Sequence, residues 1–254
     1  MRIWAVALNT FKETVRNRVL LNILFFALAL ILLTLVIGEW SIYQQTKVIK
    51  DFGLSAMSIF GLLIAIFIGI RLMVQELEQR TIAVIASKPV HRWEIVLGKY
   101  LGLSLTLAVN VLIMSLCLWA VNLAKAGVWD WGLAPAIVLI YVEILLIVAF
   151  SLFFSTFASP NLSAVLTLIV FAIGHLSTFL WEFVRLHPDR PVNWLLKLIY
   201  YVLPNLEKLN LKMAVVGNLR QPPHSFLYGL LYGILYITLI LVLTGVMFQR
   251  RDLN

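Results

Sequence analysis

The residues able to do chemistry are few, and they lie far apart. Glu143 falls near the middle of the apolar run VLIYVEILLIV, and His175 falls in a second run beside Ser177 and Thr178. An acid at the centre of a bilayer costs about 2.5–3.5 kcal/mol on insertion scales, so its presence calls for a use or a partner. Two readings of Glu143 stand: a contact on a transport path, or a structural acid that is protonated or paired with a neighbouring span. His175 has the same pair of readings, path lining or a hydrogen bond that holds helices together, and so has Asn110. Nothing in the sequence fixes Glu143 near His175. An intramembrane enzyme would need such groups to converge at one depth. His91, His175, His187 and His224 show no ligand spacing, so no metal is expected. Cys117 is the single cysteine and can form no intrachain disulfide.

The remaining charge concentrates in QELEQRTIAVIASKPVHRWEIVLGK, Gln75 to Lys99. Its Gly98-Lys99 pair lacks the earlier glycine of a phosphate loop, is followed by Tyr100 and has no strand before it. It cannot cradle a phosphate, so no nucleotide cofactor is expected on this chain.

The elements that carry these residues follow from composition. The 254 residues are 62% hydrophobic and 13% charged, far more apolar and less charged than a soluble domain. Six runs are long enough to span, at about 20 residues per crossing: 19–40, 54–74, 100–122, 133–157, 161–181 and 225–248. They are too long for barrel strands and lack their alternation, so the expectation is an all-α membrane protein with six transmembrane helices in one domain. The net charge of +8 reads as basic residues beside the spans. Nucleic acid is not an expected partner, because no aromatic-basic platform is evident. Residues 1–18 lack an apolar core and a cleavage site and read as no signal peptide. They read as an interfacial helix, with Trp4, Leu8, Phe11 and Val15 on one face and Arg2, Asn9, Lys12, Glu13 and Arg16 on the other.

Basic residues set the orientation. Arg2, Lys12, Arg16 and Arg18 precede the first span, Arg71, Arg80, Lys88, Arg92 and Lys99 frame the 75–99 loop, and Arg250 and Arg251 follow the last span. Both termini and that loop are expected in the cytosol. The segment 182–224, broken at Pro204, reads as short helices on or dipping into the outer leaflet, or as a packed cap.

Within 75–99 the second span gives way to Glu76, Glu78 and Arg80. A short helix with Ile82, Val84 and Ile85 on its apolar face follows. Pro89 breaks it, and HRWEIVLGK opens the third span. Arg71 can snorkel and pair with Glu76 or Glu78. An exposed apolar bar needs a surface to bury it: either the chain's own spans or a separate soluble protein.

Glu76, Glu78, Thr81, Pro89, Val90, Arg92, Gly98 and Lys99 together resemble the cytoplasmic signature of type-2 ABC-transporter permeases, with Arg80 where many members have Gly. FKETVRNRVLLNILFFALALIL, FSLFFSTFASPNLSAVLTLIVF, LPNLEKLN and the closing FQRRDL are similar to other parts of that family. The overall look is nearest to the multicopper-enzyme-maturation permease subgroup, although the Met and His content does not support copper as cargo. The resemblance implies the membrane subunit of an ATP-driven exporter in the cytoplasmic membrane. A separate cytosolic ATPase would bind ATP and magnesium and dock on Glu76, Glu78, Thr81, Ile82, Ile85, Pro89 and Arg92 as a coupling helix. A second permease copy or a related chain would complete the transporter. The rival readings are an ABC membrane subunit that transmits force without transporting and an ion-driven carrier, although carriers break their helices at the midplane and here the breaks lie at the membrane edges.

Overall fold

A long apolar run can satisfy its amides in lipid only by folding on itself as a helix. The computed structural model describes residues 2–39, 44–78, 92–127, 129–187, 191–217 and 223–250. Among them it is helical but for short connections, and no strand occurs. The helices are α1 (Arg2–Val15), α2 (Arg18–Glu39), α3 (Gln45–Glu78), α4 (Arg92–Ala126), α5 (Leu133–Ser155), α6 (Pro160–Leu186), α7 (Asn193–Val202), α8 (Lys212–Val216) and α9 (Pro223–Arg250), with a 3-10 turn at Leu206–Leu209 between α7 and α8. Six of them, α2 to α6 and α9, are long and apolar enough to cross a membrane. Thr81, Ile82, Ile85 and Pro89 of the expected coupling helix lie outside the described residues; Glu76, Glu78 and Arg92 are described as helix backbone alone.

Local chemistry sets the breaks. Asn17 separates α1 from α2 and caps the second, its Oδ1 accepting the Val19 N–H at 2.9 Å. Gly127 ends α4 in the left-handed region at φ 68° and donates its N–H to the Leu123 carbonyl. Pro160 opens α6 after Ser159, where its missing N–H costs nothing.

The sequence of α5 is apolar on every side, and such a helix belongs in the middle of a bundle. It touches α3, α4, α6 and α9, and most of its side chains are buried. Close approach to α3 occurs at two glycines. A Cβ on Gly61 would strike Ile144, and one on Gly69 would come within 2.6 Å of the Ser151 hydroxyl. The order of these contacts shows α3 and α5 running in the same direction.

The N-terminal helix is seated on α4. A Cβ on Gly98 would meet Val6 at 2.7 Å, and one on Gly102 would meet the Ala7 carbonyl at 2.5 Å. The two helices are therefore parallel here, along a seam of small residues that closes over Ala7, Thr10 and Thr14. Trp4, Leu8 and Val15 stay exposed. Phe248 of α9 packs on Val96 of α4, so α1, the start of α4 and the end of α9 share one end of the bundle.

At the other end, the chain between α6 and α9 turns back into the bundle. Leu206 and Leu209 are fully buried. Gly174 of α6 admits Leu206 and the Pro204 carbonyl, Gly229 of α9 admits the Lys208 carbonyl, and Gly233 admits Leu209 and Val142. The non-helical backbone is satisfied locally. The Asn205 N–H donates to the Tyr232 hydroxyl at 2.8 Å, and the Asn205 and Asn210 side chains accept from Glu207 N–H and Lys212 N–H.

The seam gives a test. Gly102→Ala should lower stability by about 1–3 kcal/mol, the usual cost of overpacking, because its Cβ meets backbone. Gly245→Ala should be neutral, since its Cβ would sit 4.0 Å from Trp93. Thermal unfolding of the two variants in detergent compares them; equal midpoints would contradict the seam.

Candidate functional site

The buried carboxyl on α5 is Glu143, 1% exposed. Its position between α3 and α6 is set by the glycine contacts that hold α3 against α5. Ser58 of α3 donates to Glu143 Oε1 at 3.3 Å. His175 Nε2 of α6 lies 3.5 Å from the same oxygen. Oε2 has no hydrogen-bond partner among the described residues. The structure thus brings together Glu143 and His175, which the sequence left unconnected, and adds Ser58, which no sequence signal marked.

The imidazole is held from its other side. Nδ1 is 3.3 Å from the Phe171 carbonyl one turn earlier, and the Phe171 ring lies 4.5 Å from the imidazole. The charges of Lys212 and Glu207, on the segment that turns back into the bundle, also act on Glu143. Leu206 packs on Gly174, the neighbour of His175, and Leu209 packs near Val142, the neighbour of Glu143. Asn110 is separate: its amide donates to the Thr106 carbonyl on its own helix at 2.8 Å. Gly98 and Lys99 lie within α4, where Gly98 seats α1. No cluster of metal ligands occurs among the described residues.

An ion pair closes the far end of the bundle. Lys50 of α3, buried, pairs with Asp130 at 2.5 Å in the loop before α5. The Gly132 N–H donates to Asp130 Oδ1 at 2.8 Å, and Trp119 Nε1 donates to the Asp130 carbonyl at 3.0 Å. Trp129 and Trp131 pack around Trp119. Burial pushes the Asp130 carboxyl up, but the Lys50 hydrogen bond, the Gly132 N–H and the Lys50 charge outweigh it and leave it below its ordinary value.

Six spans, a buried carboxylate and a returning segment fit many transporters. What decides is the match of residues 4–253 to the model of the ABC-2 family transporter protein. The chain belongs to the ABC-2 transporter family. No curated protein matches it. The family makes the chain an integral membrane protein and a permease subunit of an ABC transporter, not itself the catalytic part, and implies partnership with an ABC ATPase. The polar pair of this ABC-2 permease therefore sits inside a subunit whose business is transport.

Two outcomes are expected. Removing the imidazole alone, His175→Leu, leaves the carboxyl without its partner and should cost about 1–2 kcal/mol. The double variant His175→Leu with Glu143→Met should recover most of it, because apolar replacement of both partners is often neutral. Unfolding midpoints of the parent, the single and the double variants form the comparison, and additive losses would deny the contact. For Asp130 the depressed folded value means stability that is present above the unfolded carboxyl's value of about 3.9 and lost as pH falls through the folded one. Midpoints measured down to acidic pH should fall less steeply in Asp130→Asn than in the parent.

Proposed function

We propose that this permease subunit works in an ATP-driven exporter and takes its energy from a separate cytosolic ATPase that docks on residues 76–92. The family match over nearly the whole chain carries the reading. The bundle's geometry supports it. Helices α3 and α4, 34 and 35 residues long, both exceed the roughly 20 residues of a crossing. They bracket residues 79–91, so a push on that segment reaches two rigid rods. Seated on α4 at Gly98 and Gly102, α1 would move with it.

In this reading the termini and the 76–92 segment face the cytosol of a cytoplasmic membrane, and Trp4, Leu8 and Val15 of α1 face lipid. Glu76, Glu78, Thr81, Ile82, Ile85, Pro89 and Arg92 form the docking element. A second copy or a related chain completes the pathway, and ATP with magnesium stays on the ATPase.

The test charges the apolar bar. Ile82→Asp with Ile85→Asp should leave the chain in the membrane and abolish co-purification of the ATPase and its permease-dependent hydrolysis. Normal assembly and hydrolysis by the double variant would remove the docking assignment. Hydrolysis that never responds to any exported compound would favour force transmission over export.

A further inference from the structure

The imidazole of His175 faces two acceptors. Nδ1 points at the Phe171 carbonyl, 3.3 Å away, and Nε2 at Glu143 Oε1, 3.5 Å away. A neutral imidazole carries one N–H, so it can satisfy one of the two. With an ionised Glu143, the other nitrogen would face oxygen lone pair to lone pair. The site would also carry a net negative charge in hydrocarbon. One added proton removes both costs, whether it rides as imidazolium beside carboxylate or as carboxyl donating to the bare nitrogen.

The returning segment packs beside this pair. Gly229 and Gly233, which receive Lys208 and Leu209, lie about 9 and 15 Å along α9 from its start at Pro223, at 1.5 Å per residue. Glu207 and Lys208 at that depth are exposed, and charged side chains in a membrane protein face water-filled recesses rather than lipid. Leu206 packs on Gly174, beside His175, and Leu209 lies near Val142, beside Glu143.

We propose that Glu143 and His175 form a proton-binding site, holding one proton while Leu206 and Leu209 are seated and releasing it to water when they lift. Raising the pH therefore favours the lifted state. Ser58 from α3 and His175 from α6 contact Glu143, and the charges of Glu207 in the 3-10 turn and Lys212 of α8 act on it. The inference does not rest on the docking of an ATPase.

The experiment uses the full chain in membranes, without nucleotide, in a Cys117→Ala background. Leu209→Cys reports lifting through its reaction with a membrane-impermeant maleimide. Met213→Cys, on an exposed position, supplies the reference rate, which removes the thiol's own pH dependence. The Leu209→Cys rate relative to that reference should rise with pH, by up to about tenfold per unit, the limit for one proton. Adding Glu143→Gln should flatten the profile, and adding His175→Gln should move its midpoint. A flat profile in the parent would overturn the proposal. So would an unchanged profile in both variants. Should Glu143→Gln fail to fold, the His175→Gln midpoint alone decides: moved, the pair binds the proton; unmoved, it does not.

Discussion

Helices in lipid gain little from hiding apolar surface, because lipid tails are as apolar as leucine, so they must associate through close packing and hydrogen bonds. The contact of α3 with α5 at Gly61 and Gly69 is where this bundle meets that constraint. It draws the two most buried spans together. It places Ser58 against Glu143, and it leaves α2, α6 and α9 to form the outer wall. A larger residue at either glycine would separate the helices and take the hydroxyl away from the carboxylate. The polar site thus exists because two apolar helices can touch.

The two ends of the bundle are built differently. At the end that holds α1, small residues let one helix lie in the groove of another. At the opposite end, a lysine–aspartate pair, three tryptophans and a returning segment with its own asparagine caps do the closing.

Much of the architecture was legible in the sequence. Hydropathy and length reveal six spans because the bilayer imposes one thickness on every crossing. The spacing of Glu76, Thr81, Pro89 and Gly98 pointed to the family that the match over residues 4–253 supports. The site was less legible. Glu143 and His175 stood out as costly residues, but hydropathy says nothing of how each helix is rotated about its axis, so their contact could not be foreseen. Ser58 gave no signal, being one of many serines in apolar runs. The packed face of α1 was hidden for a related reason. The apolar arc of Trp4 and Leu8 reads as the membrane side of the helix, and the face that meets protein is Ala7, Thr10 and Thr14, chosen for small size rather than for hydrophobicity. A Gly-x-x-x-Gly at residues 98 and 102, read as a packing motif, would have pointed to it.

The seam between α1 and α4 also sets an order on biogenesis. The groove that seats residues 3–14 is made of residues 98–106, so α1 has no seat until some ninety residues later in synthesis. At 5–20 residues per second that is a wait of about 5–20 s. During it two spans must insert with α1 undocked. Insertion of the third span then completes the groove, and the N-terminal helix becomes the last element of the first half to find its place.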